Sequence, residues 1–294
     1  MIRHIILHSP TAYREPATVA QATTDDQVVA LWLHARSRHT QRAYLADVER
    51  FRALAGKQLH QVTLGDVQDF ADSLVSLAPA SQARVLSAVK SLLAFAHRVG
   101  YLTYDVGRPL RLPRQKNRLA ERILPEADVH RMLALEPGRR NRVLLRLLYG
   151  AGLRVSELCG LLWRDVQERA DAGQITVTGK GGKTRAVLLS AATWTEVAAL
   201  RDGACPDAQL FRSRKGGRLD ESQVVRIVRA AGKRADIADI VSPHWLRHAH
   251  ASHALDRGCP IHLVQATLGH ASVATTGRYL HARPTDSSAR YLAV

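Results

Sequence analysis

Four short segments carry residue types able to hold and react with an oxyanion, and they are scattered over the second half of the chain. In SPHWLRHAHASHAL, Ser242 is an N-cap type and Pro243 suits the first helical position. His244 then falls in the first turn, with Arg247 three residues on along the same face. Unpaired N–H groups and the helix dipole at such an end favour an anion such as a phosphate, and also a neutral imidazole able to accept a proton. Taken alone, this fragment more often describes a surface His and Arg on an ordinary helix. Upstream, AGLRVSEL places Arg154 in a glycine-led turn between two helices, where a guanidinium fork is better presented to phosphate than on a solvated face. GKGGKTR puts Lys180 on the tip of a turn. LGHASVATTGRYLH sets His270 nine residues before Tyr279, a spacing that says little by itself.

Two competing chemistries fail on spacing. The glycine-lysine turn is not a nucleotide-binding P-loop, because Val177 and Gln174 stand where glycines would be needed five residues before Gly182 and Gly179. His244 and His248 are four apart, as zinc ligands can be, but there is no H-E-x-x-H and no carboxylate between them. His248, His250 and His253 therefore read as packing or surface positions beside the motif, and no metal is expected.

These residues need elements to position them. The chain has 294 residues and a formal charge of +16, an excess that points to a polyanionic partner, with nucleic acid leading and a solvated basic surface as the plain alternative. Residues 1–22 form an N-terminal extension without clear periodicity. Residues 23–105 read as four helices, marked by Val28 to Leu33, Tyr44 to Phe51, Leu64 to Leu77 and Val85 to Phe95. Residues 106–122, with Pro109, Pro113, Arg108, Arg111, Arg114, Lys116, Arg118 and Arg122, read as an extended basic linker, suited to closing around a duplex or to plain tethering. Residues 123–294 read as mainly helical, around one β-hairpin, Ile175 to Thr178 and Ala186 to Leu189. Further helices are expected over 126–135, 139–149, 156–163, 191–201, 221–233, 243–257 and 261–268.

Cys159, Cys205 and Cys259 form no C-x-x-C pair, and no apolar run reaches the ~18 residues of a membrane span or forms a signal-peptide core. The expectation is a soluble cytoplasmic protein with no membrane association.

Together Arg154, Lys180, His244, Arg247, His270 and Tyr279 resemble, in order and spacing, the catalytic set of the tyrosine recombinases, or phage integrase family, nearest to compact Xer-like members. SRHTQRAYLADVERF, from Ser37 to Phe51, resembles the opening helix of that family's core-binding domain. The resemblance spans roughly residues 25–285. It implies a mainly α protein: a four-helix SAM-like core-binding domain followed by a mainly α catalytic domain with a small β-hairpin or sheet.

The resemblance also implies a mechanism. Arg154 and Arg247 would clamp the scissile phosphate and Tyr279 would attack it, giving a 3′-phosphotyrosyl bond and a free 5′-hydroxyl. Lys180 would protonate the departing oxygen, His244 would accept or orient the tyrosine proton, and His270 would donate to the phosphate, with no cofactor and no ATP. It implies double-stranded DNA as partner, nucleoid association, and a homotetramer, or a heterotetramer with a related recombinase, on two DNA sites. Chromosome-dimer resolution, phage integration and transposition all remain open as tasks. Thr40, Arg42, Arg84 and Lys90 are candidate DNA-backbone grips in the first domain, or else solvated helix faces. Gly277-Arg278 before the tyrosine departs from the bulkier or polar pairs of many relatives, and the N-terminal extension has no counterpart among them. A non-cleaving regulator, a type IB topoisomerase and a metal-dependent hydrolase built on the histidines are the rival readings; a pure binder would have no use for Tyr279 at that spacing.

Overall fold

The computed structural model describes residues 21–113, 119–170, 172–179 and 182–280. The chain divides into two compact units, residues 1–116 and 117–294.

The first unit is built from α1 (Asp25–Leu33), α2 (Arg38–Ala55), α3 (Leu64–Ser73) and α4 (Pro79–Arg98). Each boundary has a local cause. Thr24 and Ser37 cap α1 and α2 with their side chains, Thr63 and Asp66 form a reciprocal capping box on α3, and Pro79 opens α4. Gly56 ends α2 at φ +63°, in the left-handed region that favours glycine. The expected third helix stops at Ser73 rather than running on to Leu77. The apolar stripes of all four helices meet in one core containing Val28, Val48, Phe51, Val67, Phe70, Leu86, Val89 and Leu93. Phe51 and Phe70 meet edge to face there, with ring centroids 5.1 Å apart. Asp25 is buried, accepting from the Leu59 amide (3.1 Å) and the Tyr101 hydroxyl (2.7 Å), so a carboxylate at a helix start also ties down two later segments. Val106 packs into this core, although it lies within the stretch read as linker.

The second unit contains α5 (Glu126–Ala134), α6 (Arg139–Gly150), α7 (Val155–Gly160), α8 (Ala191–Ala198), α9 (Glu221–Arg234), α10 (Pro243–Asp256), α11 (Ile261–Leu268) and α12 (Val273–Gly277). Its sheet has three antiparallel strands rather than a bare hairpin: β1 (Val166–Arg169), β2 (Ala172–Thr178) and β3 (Thr184–Leu189), in that order. The strand not expected, β1, is VQER. It is four residues long with only Val166 buried, so it shows no readable alternation. Ile175 pairs with Val187 and Gly173 with Leu189, and this register turns Ile175, Val177, Val187 and Leu189 inward. The helix expected over 156–163 ends at Gly160, and Trp163–Asp165 is a separate 3₁₀ turn. α6, with Val143, Leu144, Leu145, Leu147 and Leu148 buried, lies in the middle of the core. The turn at the C-terminal end of α6, and α10, which packs against it, are thereby held on a rigid support. The fold class is mainly α, as the sequence implied.

Candidate active site

The turn after α6 sets the first side chain. Gly152 has φ +58°, and a Cβ there would come within 2.7 Å of Leu268 and 2.9 Å of His250, so conformation and space both require glycine. The chain then extends to Arg154, the N-cap residue of α7. The Arg154 backbone N–H donates to Glu157 Oε2 (2.8 Å), its Nη1 to Glu157 Oε1 (2.7 Å), and its Nη2 to the Gly269 carbonyl (3.2 Å). From β3, Arg185 meets the same carboxylate two-pronged, at 2.9 Å to each oxygen, while its Nε donates to the Thr267 carbonyl (2.7 Å). Burial pushes the Glu157 pKa up, but the bonds from Arg185 and Arg154 outweigh it and bring the value down to about 2. One buried carboxylate therefore ties the α7 turn, the sheet and the end of α11 together.

Ser242 and Pro243 begin α10 as expected, although the Ser242 side chain makes no capping bond. Arg247 is only 3% exposed. Its guanidinium donates to the Leu268 carbonyl (2.6 Å) and to the Gly152 carbonyl. Burial, with Arg154 nearby, lowers its pKa to about 10, so it stays charged at neutral pH.

α11 ends on Gly269 at φ +61°, where a Cβ would crowd Arg185 at 3.1 Å, and His270 follows. The His270 ring pairs through Nδ1 with the buried Thr276 hydroxyl (2.9 Å) and lies parallel to the Tyr279 ring, centroids 6.5 Å apart. Tyr279 is 7% exposed. Its hydroxyl meets Nδ1 of His248 at 2.7 Å.

In this structure the partner of the phenol is therefore His248, a residue that read as a packing or surface position, whereas the resemblance implied His244 as the acceptor or orienter of its proton. His244 stacks edge-on against His248, centroids 4.8 Å apart, and stays exposed. Partial desolvation of the ring by its neighbours, then the charges of Arg247, Arg154 and Arg122, lower the His244 pKa. Burial likewise leads the fall of His248 and His270 to about 4, with surrounding charges adding to it. Burial pushes the Tyr279 phenol up. At neutral pH the imidazoles and the phenol are uncharged while both arginines are cationic, an arrangement suited to one bound anion and a proton transfer. The structure thus brings Arg154, Arg247, His244, His270 and Tyr279 together; Lys180 lies outside the described residues, as do Arg114, Lys116 and Arg118. Among the described residues no three His, Cys, Asp or Glu side chains converge as a metal cage.

Over these elements the chain matches two family descriptions: Phage integrase family across residues 122–286 and Phage integrase, N-terminal SAM-like domain across residues 29–100. It is 33% identical to tyrosine recombinase XerC of Xanthomonas campestris pv. campestris (strain B100), covering 93% of this chain and 88% of that protein. The chain belongs to the phage integrase family, the tyrosine recombinases. Its fold is shared with the XerH site-specific recombinase bound to palindromic difH substrate in a post-cleavage complex (TM-score 0.73, 22% identity, covering 90% of this chain and 83% of that one). It is also shared with a lambda integrase tetramer bound to a Holliday junction (TM-score 0.71, 17% identity, 93% and 83%).

Three residues of this tyrosine recombinase carry weight that spacing did not reveal. Glu157 has the i+3 spacing of a routine partner for Arg154, a signal too common to single it out. Arg185 sits in an exposed-looking strand end, and nothing local announces a carboxylate 28 residues earlier in sequence. His248 shares the helical spacing of His244, which alone does not mark it as the partner of the phenol.

In the first unit, Arg84 grips Asp47 with both nitrogens, one at 2.9 Å, and Lys90 donates to the carbonyls of Arg108 (3.2 Å) and Leu110. The Thr40 hydroxyl pairs with Ser37 (2.9 Å). Arg42 is exposed, with no hydrogen bond or ion pair among the described residues. Of the four candidate grips, Arg42 alone needs no exchange of partner to meet a phosphate. No helix among the described residues is long and apolar enough to cross a membrane.

Proposed function

We propose that this recombinase cuts and rejoins DNA strands at specific sites through a 3′-phosphotyrosyl intermediate on Tyr279, as a tetramer on two sites, either of one chain or shared with a related recombinase. One observation carries the reading: Arg154 and Arg247, from two separate elements, are anchored on the adjacent Gly269 and Leu268 carbonyls, next to His270, whose ring lies parallel to that of Tyr279. A phosphodiester undergoing in-line attack gathers negative charge on its non-bridging oxygens, and pre-positioned guanidiniums stabilise that charge where it develops. Arg154 and Arg247 would each turn nitrogens from carbonyls or Glu157 towards the phosphate. His270 and His244 would supply further hydrogen bonds, and Lys180, which lies between β2 and β3 in sequence, the proton for the 5′-oxygen. Because the phosphotyrosine conserves the bond energy, rejoining consumes no nucleotide. Thr40, Arg42, Arg84 and Lys90 would grip the DNA backbone, where contacts position but do not specify sequence. Such a protein would work in the cytoplasm, on the nucleoid.

The test begins by sequencing DNA held covalently by the wild-type chain in cells, which yields the site. A nicked suicide duplex of that site should give an SDS-resistant adduct mapping to Tyr279. Tyr279→Phe should bind the duplex equally and trap nothing; an adduct on another residue, or none with wild type, would overturn the reading. Relaxation of any supercoiled plasmid by the monomer, without recombination between sites, would assign the chain to topoisomerase chemistry instead.

A further inference from the structure

Attack by a phenol needs somewhere for its proton to go, and three imidazoles are candidates: His248 and His270 beside Tyr279, and His244 beside His248. Two are poorly placed to take it. The His270 ring presents its face to the tyrosine ring, an interplanar angle of 4°, and its Nδ1 is engaged with Thr276. His244 is exposed, and among the described residues it makes no hydrogen bond to Tyr279. His248 alone has a ring nitrogen on the hydroxyl, at 2.7 Å, within the reach required of a general base.

We propose that His248 is the catalytic base that receives the Tyr279 proton as the phenol oxygen attacks the scissile phosphorus. This rests on the phosphotyrosyl reading above. The ring acts as its Nε2–H tautomer, so that the Nδ1 lone pair accepts from the hydroxyl. As the Tyr279 oxygen–phosphorus bond forms, the phenol proton passes to Nδ1. The phosphorus–O5′ bond breaks, and the departing oxygen takes a proton from the general acid, Lys180 in that reading. In rejoining, the 5′-hydroxyl attacks, and the departing phenol oxygen recovers its proton from Nδ1.

In the free chain both groups, the His248 ring and the Tyr279 phenol, are uncharged before a phosphate is bound. Burial first, then His244, Arg122, Arg247 and Arg278, holds His248 at about 4, so the ring is unprotonated and available at neutral pH. The phenol is pushed upward by burial and keeps its proton in the free chain, so the transfer belongs to the attack itself. A phosphodiester held by Arg154 and Arg247 offsets part of the cationic field that disfavours a charged ring. Sequence offers no choice between His244 and His248, which share one helix face; the path of α12 makes it.

The experiment measures single-turnover cleavage of the suicide duplex by wild type, His248→Ala and His248→Asn, each checked for duplex binding and for thermal unfolding like wild type. Asn keeps a polar group near the Nδ1 position but cannot take a proton. Both variants should bind as wild type and cleave roughly 10²-fold or more slowly, the scale of a lost general base. Added imidazoles should restore His248→Ala, more strongly with the more basic ones. A 5′-bridging phosphorothiolate duplex, whose leaving group needs no acid, should not relieve the defect. Cleavage by either variant within threefold of wild type overturns the proposal, as does a loss that imidazole leaves untouched, which assigns the ring to packing. Failure of wild type itself to form the Tyr279 adduct would sink the phosphotyrosyl reading rather than this one.

Discussion

Replacing Glu157 with glutamine removes a charge without changing shape, at the point where three segments are tied. The carboxylate accepts four bonds, two from Arg154 and two from Arg185, at 2.7 to 2.9 Å. Its side chain is 3% exposed and that of Arg185 13%. The gap between the ordinary value of 4.5 and about 2 in the folded chain corresponds to about 3 kcal/mol favouring the ionised, folded state. That agrees with the range of about 3 to 5 kcal/mol for removing one partner of a buried pair. The folded value is depressed, so this contribution is complete above about 4.5 and fades as pH falls towards 2. Wild type should therefore exceed Glu157→Gln by about 3 kcal/mol at pH 7 and by less than half of that at pH 3. Urea unfolding followed by tryptophan fluorescence measures it. In a Trp32→Phe background the remaining indoles, Trp163, Trp194 and Trp245, all lie in the second unit. A gap below about 1 kcal/mol at pH 7, or one that does not shrink in acid, would refute the argument that the ionised carboxylate holds these arginines.

Two further outcomes are expected. Gly152→Ala should cost about 2 to 4 kcal/mol, adding left-handed strain to overpacking against Leu268 and His250. Gly56→Ala, at φ +63° with open space around it, should cost only about 1 kcal/mol; equal losses in urea unfolding would contradict the steric account. Arg42→Ala should weaken binding to specific and random duplexes alike and lower the slope of log K against log salt by about 1, read from a salt titration. An unchanged slope would remove Arg42 from the DNA-contacting residues.

Most helices were legible because apolar residues recur at helical spacing, and in the structure Thr24, Ser37 and Thr63 cap and Gly56 and Gly269 stop them; α12, five residues long, was not expected. The candidate site was legible as a set of types in order, since arginine, histidine and tyrosine at those spacings have few other joint uses. β1 was not, because four residues with a single buried valine carry no period.

Local periodicity and chain order thus determine which residues are available and which helix faces they occupy. They place His244 and His248 on one face of α10 and stop there. Which ring meets Tyr279, 31 residues beyond His248, depends on how α11, Gly269 and α12 fold back over α10. The burial of Glu157 between Arg154 and Arg185 likewise depends on β3 passing the α7 turn. Both are contacts between elements far apart in sequence, settled by packing of the whole second unit, and no short-range pattern encodes them.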